Sequence, residues 1–491
     1  MTDNNRQWKT LDKDLGRIGH LEYAAHYIAR PMVGLGIALA FLVLAGLGAG
    51  LLFGAGQSNM IVVAAAIVGA YMALNIGAND VANNMGPAVG ANALTLGGAI
   101  VIAAICESAG ALLAGGDVVS TISKGIIDPA SVQNENVFIW AMMAALISSA
   151  LWVNLATWVG APVSTTHSVV GGVMGAGIAA AGLTAVNWPS MGKIAASWVI
   201  SPVLGGVIAA AFLAFIKARI IYVDDKIAAA RRWVPVLIGI MAGAFTSYLA
   251  VKGLKKIVSV ELDLALLIGL GAAVVFWAIS VPLIRRQSEG MENRNKSLKA
   301  LFAIPLVISA ALLSFAHGAN DVANAVGPLA AIVHAGEFGG FAGEVNIPMW
   351  VMVIGAFGIS FGLMLFGPKL IRMVGGQITK LNPMRAYCVA LSAAITVIVA
   401  SWLGLPVSST HIAVGGVFGV GFFREWHAEK RARESRSRRH PGKRIAPEER
   451  RRRKLVRRSH FLTIVAAWII TVPAAALLSG VIFVVLNALF V

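Results

Sequence analysis

The chain has 491 residues, 58% of them hydrophobic and 13% charged, against roughly 45–50% and about 25% in soluble domains. Its formal charge of +17 is concentrated. Arg424 to His460 holds 16 Lys/Arg and 5 Asp/Glu, the first thirty residues hold 5 and 4, and only 33 charges are spread over the other 424 residues. A water-soluble enzyme is excluded, and so is a nucleic-acid-binding surface, because the excess base lies in one segment between two apolar runs.

Residues 1–30 mix acids with bases and lack an early apolar stretch or a small-residue cleavage site, which reads as a cytosolic N-terminal tail rather than a signal peptide. Membrane-type apolar segments follow at Val33 to Phe53, Ile61 to Ile76, Leu96 to Ala114, Phe138 to Trp158, Val169 to Gly182 and Ala195 to Ile216. After a charged stretch come Val234 to Val251, Leu262 to Ile284, Leu301 to Phe315, Pro348 to Phe366, Ala386 to Leu403, Ile412 to Phe423 and Phe461 to Leu489. These thirteen candidates, some of them short, predict an all-α integral membrane protein with about 12–13 transmembrane helices. Cys106 and Cys388 are far apart in apolar runs and read as packing residues, with no disulfide framework or metal spacing.

Two motifs recur in the same order. GANDVANNMGP from Gly77 returns as GANDVANAVGP from Gly318, an offset of 241, and GAPVSTTHSVVGGVMGAG from Gly160 returns as GLPVSSTHIAVGGVFGVG from Gly404, an offset of 244. A duplicated unit of five segments accounts for both. The expected organisation is a tail (1–30), an additional transmembrane helix (31–56), a first repeat (57–217), a linker region with two transmembrane helices (218–299) and a second repeat (300–491) containing a basic cytosolic loop (424–460). Loop charge predicts that the copies are inverted. The nearly uncharged loop after STTH corresponds to the basic loop after SSTH, and two further loop comparisons agree. Seven spans from Ile61 to Leu301 give the odd number of crossings that inversion requires.

GANDVAN places Asn79, Asp80 and Asn83, and in the second copy Asn320, Asp321 and Asn324, among apolar residues. An Asp at a helix centre costs about 2.5–3.5 kcal/mol on insertion scales, and structural glue between helices does not explain why both copies bear that cost. Unwinding at Gly77 and Gly318 would add freed carbonyls to the Asp80 and Asp321 carboxylates, giving oxygen sites for Na⁺ or a proton. Asn79, Asp80, Asn320 and Asp321 are therefore the expected cation-coupling residues, with Na⁺ at Asp80 and Asp321. Ser164, Thr165 and Thr166 follow Pro162, as Ser408, Ser409 and Thr410 follow Pro406, and each trio opens an apolar Gly-rich helix. Hydroxyls at a helix start form a cap whose free N–H groups and positive dipole end bind tetrahedral oxyanions. The six hydroxyl residues, with Asn83 and Asn324, are the candidate anion contacts, and His167 and His411 are candidates for a proton or anion contact or a structural role. Gly171/Gly175 and Gly415/Gly419 have the GxxxG spacing of close helix packing. P-loop, GxSxG and HExxH signatures are missing from the sequence. An intramembrane hydrolase would not need inverted duplication, and an anion channel would not need paired carboxylates.

The duplicated GANDVAN and PVS(S/T)TH segments resemble the inorganic phosphate transporter (PiT) family, over nearly the whole chain from about Ile61 to Leu489. The resemblance implies no enzyme and no cofactor but a secondary active transporter: an inverted-repeat transporter of twelve helices with broken helices and Ser/Thr-rich helical hairpins, importing phosphate by symport with Na⁺ or H⁺. Substrate and cations would lie where the signature helices meet the hairpins, in alternating access around a midplane site. The helix at Val33 to Phe53 departs from that pattern. GANDVAN, rather than the HDTAN-like form of some bacterial relatives, favours Na⁺, and a sulfate-transporting branch makes sulfate permease the alternative. Expected partners are inorganic phosphate, Na⁺ or H⁺ and the lipid bilayer, with no nucleic acid and a homodimer as the candidate assembly. The expected location is the bacterial inner membrane, with the N-terminus cytoplasmic.

Overall fold

A computed structural model describes residues 32–52, 57–128, 131–132, 134–159, 163–253, 260–338, 347–377, 381–439 and 458–490. Helix α1 (Met32–Leu52) precedes the first copy. That copy comprises α2 (Gln57–Asn79), α3 (Val81–Gly90), α4 (Leu96–Ala114), α5 (Gly116–Lys124), α6 (Glu135–Val159), α7 (Thr165–Ala181) and α8 (Trp188–Ile216). Helices α9 (Lys226–Lys252), α10 (Leu262–Gln287) and α11 (Asn295–Leu301) lead to the second copy. It consists of α12 (Ala303–Phe338), α13 (Met349–Gln377), α14 (Pro383–Trp402), α15 (Ser409–Arg439) and α16 (Arg458–Phe490). Among the described residues the one extended pairing is a single bridge, Ile127 to Val186.

Eleven helical stretches among the described residues are long and apolar enough to cross a membrane, so the chain is an integral membrane protein. All thirteen sequence segments fall on helices. The two outside the eleven are α7, with only 17 residues, and α15, which is charged over its second half. Helix starts follow local chemistry: Thr95, Ser164, Asn187, Asp225 and Asn382 each accept a hydrogen bond from the backbone N–H three residues on.

The two copies exchange partners instead of folding separately. Helix α2 packs on α13, and its repeat equivalent α12 packs on α4; likewise α7 packs on α16 and α15 on α8. Glycines make these crossings close. A Cβ at Gly77 would collide with the Ile359 carbonyl, and one at Gly318 with the Glu107 carbonyl, while Gly110 meets the Phe315 carbonyl and Gly362 that of Leu74. Gly175 and Gly419 similarly sit against the Ala476 and Gly206 carbonyls, which is the packing role that GxxxG spacing suggests. Repeat-related contacts on both sides give the molecule a pseudo-two-fold core. In the strongest apolar windows of α12 and α14, 72% and 78% of residues are buried, against 17% in α10 and 22% in α1. The second copy's signature helix and hairpin arm are therefore central, and α1 and α10 lie at the periphery.

The backbone departs from the expected unwinding at Gly77 and Gly318. In the first copy the interruption falls at Asp80, between α2 and α3, where Asp80 N still donates to Ile76 O at 2.9 Å. In the second copy α12 runs unbroken through Gly318 and Asp321. Both glycines serve close approach, and among the described residues the chain stays helical at each of them. The basic segment read as a loop from Arg424 continues α15 as helix to Arg439. Residues 440–457 of that segment, the tail at 1–30 and Pro162 lie outside the described residues.

Candidate functional site

Helices α6 and α7 form one hairpin and α14 and α15 the other, and the first turns of α7 and α15 meet the two signature segments. Ser164 Oγ accepts from His167 N at 3.2 Å and Ser408 Oγ from His411 N at 3.3 Å. These serines are the helix caps. The amides that open each helix have no acceptor within it, and the dipole makes that end positive.

Thr165, Thr410 and Ser409 reach the carboxylates. Thr165 Oγ1 donates to Asp80 Oδ2 at 2.7 Å, and its repeat equivalent Ser409 Oγ donates to Asp321 Oδ2 at 3.4 Å. Asn83 Nδ2 donates to Thr410 Oγ1 at 3.0 Å, matched by Asn324 Nδ2 to Thr166 Oγ1 at 3.0 Å. Asn79 Nδ2 to Thr157 Oγ1, at 2.7 Å, is matched by Asn320 Nδ2 to Ser401 Oγ, at 2.9 Å. Three pairs of hydrogen bonds thus obey the repeat, and one of them, Asn83 to Thr410 with Asn324 to Thr166, crosses from one copy to the other. Thr410 Oγ1 also donates to Asp80 Oδ1 at 3.2 Å, so Asp80 accepts from both hairpins. Apart from Asn83 and Thr157, which are half-buried, these site residues are buried. Asp80, Asn83, Thr165, Thr166, Asn324 and Thr410 thus join one hydrogen-bonded network, Ser409 pairs separately with Asp321, and Ser164, Ser408 and Asn79 bond locally to the helix starts and to α6. The His167 and His411 rings stack edge-on, 4.7 Å between centroids, and His167 also packs 4.0 Å from Trp198.

The repeat symmetry breaks beside Asp321. His317 Nε2 lies 2.8 Å from Asp321 Oδ2, and His317 Nδ1 lies 2.6 Å from Glu107 Oε2, whose other oxygen accepts from Asn84 Nδ2 at 3.1 Å. Neither Glu107 nor His317 has any exposed surface. The equivalent positions in the other half hold Ile76 and Ile359, as the reciprocal contacts of Gly77 and Gly318 define them. Sequence reasoning missed this pair. Two signals point to it: Glu107 is a lone acid in an apolar span, which is a functional residue by default, and AHGAND differs from NIGAND immediately before the motif. Asp80, His317 and Asp321 present ligand atoms all within 4.8 Å of one another.

Asn320 does more than its sequence position suggests. Its amide donates to Ser401 Oγ and to Leu405 O, and its oxygen accepts from Val407 N at 3.1 Å, so it holds the turn of the second hairpin. At about 0.5–1.5 kcal/mol per bond, Asn320→Ala is expected to destabilise the protein by about 2–4 kcal/mol. Asn79→Ala, which loses its bond to Thr157, should cost less than half as much. Thermal unfolding in detergent checks this, and equal effects would contradict the anchoring role.

A membrane-embedded polar centre shared by two swapped repeats, built from carboxylates, amides and helix-start hydroxyls, is the arrangement of a transporter. Comparison with known proteins agrees. Residues 76–479 match the model of the phosphate transporter family. A Helicobacter pylori (strain J99) protein named "Putative phosphate permease" is 45% identical over 527 residues, covering 96% of this chain and 99% of its own. The chloroplastic inorganic phosphate transporter 2-1 of Arabidopsis thaliana is 36% identical, covering 86% of this chain and 72% of its own. A solved structure titled "The sodium-dependent phosphate transporter" superposes with a TM-score of 0.78 at 34% identity, covering 88% of this chain and all of that one. The chain belongs to the phosphate transporter family.

Proposed function

We propose that this protein imports inorganic phosphate by symport with Na⁺, exposing one buried site alternately to the two sides of a bacterial inner membrane, with the N-terminus in the cytoplasm. The observation that carries the reading is Asp80: one carboxylate accepts hydroxyl bonds from the starts of both hairpins, so rearrangement of either hairpin must change its surroundings. Phosphate is assigned to the helix starts and their side chains: Ser164, Thr165, Thr166, Ser408, Ser409 and Thr410, with Asn83 and Asn324. Hydroxyls that now donate to Asp80 and Asp321 can rotate to donate to phosphate oxygens, and the dipole ends add positive potential.

Na⁺ is assigned to Asp80 and Asp321, supported by Asn79 and Asn320. Buried Asp321 Oδ1 and Asn324 Oδ1 have no hydrogen-bond donor among the described residues, and oxygen acceptors of this kind suit a hard cation. The Helix-embedded carboxylates also give a reason for coupling. An anion placed about 5 Å from a carboxylate at an effective dielectric of about 20 is repelled by about 3 kcal/mol, so cations must enter for phosphate to bind. That term alone is worth roughly a hundredfold in affinity.

Reconstitution into proteoliposomes tests the reading. An inward Na⁺ gradient is expected to drive radiolabelled phosphate uptake, with unlabelled sulfate a poor competitor. Uptake driven only by a proton gradient would replace the coupling ion, and transport of sulfate in place of phosphate would overturn the substrate.

A further inference from the structure

Away from this site, cationic side chains from three helices converge on the face from which α15 extends. Lys217 follows the end of α8, Arg385 stands in the first turn of α14, and Arg424 and Arg431 lie on the charged half of α15. Lys217 is within electrostatic reach of the other three, and Lys217, Arg385 and Arg424 are half-buried. Among the described residues no carboxylate forms an ion pair with Lys217, Arg385 or Arg431, and the one carboxylate acting on Arg424 is that of its neighbour Glu425. An aromatic wall holds them in place: Lys217 Nζ sits 5.0 Å from the centre of the Phe423 ring and Arg431 Cζ 4.2 Å from that of Tyr222.

Chain ends of membrane helices are rich in Lys and Arg, but those side chains ordinarily spread outward into water. Here they are drawn together, and all but the exposed Arg431 are partly removed from solvent, which raises the energy of like charges unless an anion lies among them. Guanidinium groups beside an ammonium suit a phosphate group, with forked donors for its oxygens and a point charge between them. We propose that Lys217, Arg385, Arg424 and Arg431 form a second anion site, for a phosphate group carried by a lipid headgroup or free in solution. The site is independent of the transport reading, since none of its residues touches the carboxylate centre.

Thermal unfolding of the purified full chain in uncharged detergent tests it, with added phosphatidylglycerol, phosphatidylcholine or inorganic phosphate. The comparison protein is the triple variant Lys217→Gln/Arg385→Gln/Arg431→Gln. Phosphatidylglycerol is expected to raise the melting temperature of the wild type by several degrees, phosphatidylcholine to leave it unchanged, and the triple variant to lose the shift. Without ligand the variant should melt no lower than the wild type, because mutual repulsion has been removed. A wild-type excess shift with phosphatidylglycerol alone identifies a lipid headgroup, and one with inorganic phosphate also identifies a soluble anion; taking the difference between the two proteins removes any contribution from the transport site. Equal shifts in both proteins, or none in either, overturn the proposal. Should the triple variant not accumulate, Lys217→Gln alone must lose at least half of the shift, and an undiminished shift overturns the proposal equally.

Discussion

Asp80→Asn is expected to lower Na⁺-driven phosphate uptake roughly a hundredfold while the protein remains folded and inserted. Asn is nearly isosteric, and Thr165 and Thr410, the donors to Asp80, are hydroxyls that can turn to meet an amide. Stability should therefore change little. What disappears is the negative charge that draws the cation into the site, and a charge–charge term of about 3 kcal/mol at about 5 Å and an effective dielectric of about 20 corresponds to roughly a hundredfold. Thr165→Val keeps the charge and removes one donor, so its loss should be nearer tenfold. The quantity to measure is the initial uptake rate per inserted molecule. A wild-type rate in Asp80→Asn would remove this carboxylate from the coupling scheme.

The second large effect concerns Glu107 and His317. Replacing His317 alone with isoleucine leaves the Glu107 charge buried without its cation, which costs about 3–5 kcal/mol, while Glu107→Ile costs less because His317 keeps Asp321 2.8 Å away. Glu107→Ile/His317→Ile instead reproduces the Ile76 and Ile359 arrangement of the other half, and apolar replacement of a whole buried pair is often neutral. The double variant is therefore expected to be more stable than His317→Ile, the recovery being limited by the orphaned Asn84 amide, about 1 kcal/mol, and by the loss of the imidazole beside Asp321. Melting temperatures of the four proteins in detergent decide this. A double variant as unstable as the worse single would mean that the two side chains act through other neighbours. Uptake by the folded double variant should still fall at least tenfold, because Asp321 then lacks the imidazole 2.8 Å from its carboxylate.

These residues show which parts of the molecule could be read from its sequence. The duplication was legible because GANDVAN and PVS(S/T)TH recur at nearly equal offsets, the thirteen helical segments because long apolar runs need a membrane, and the meeting of GANDVAN with the hairpin starts followed from the family resemblance. Gly77 and Gly318 misled because glycine serves two purposes with one spelling. It can release a helix or let another backbone approach, and here α13 and α4 come so close that a Cβ would strike their carbonyls. The swapped pairing that places Thr410 on Asp80 and Asn324 on Thr166 depends on long-range packing, and no local pattern encodes it. Glu107 was readable in principle as a lone acid. Its partner was visible only by comparing His317 with Ile76, where the repeat fails.

The central claim is that Na⁺ and phosphate occupy one shared site whose charge is set by Asp80 and Asp321. The most direct measurement is phosphate binding to the purified protein as Na⁺ is raised at constant ionic strength, in the wild type and in Asp80→Asn. Apparent affinity in the wild type should rise by roughly a hundredfold across the Na⁺ titration, and the rise should be largely lost in Asp80→Asn. Phosphate affinity indifferent to Na⁺, or a rise of the same size in both proteins, would contradict the account.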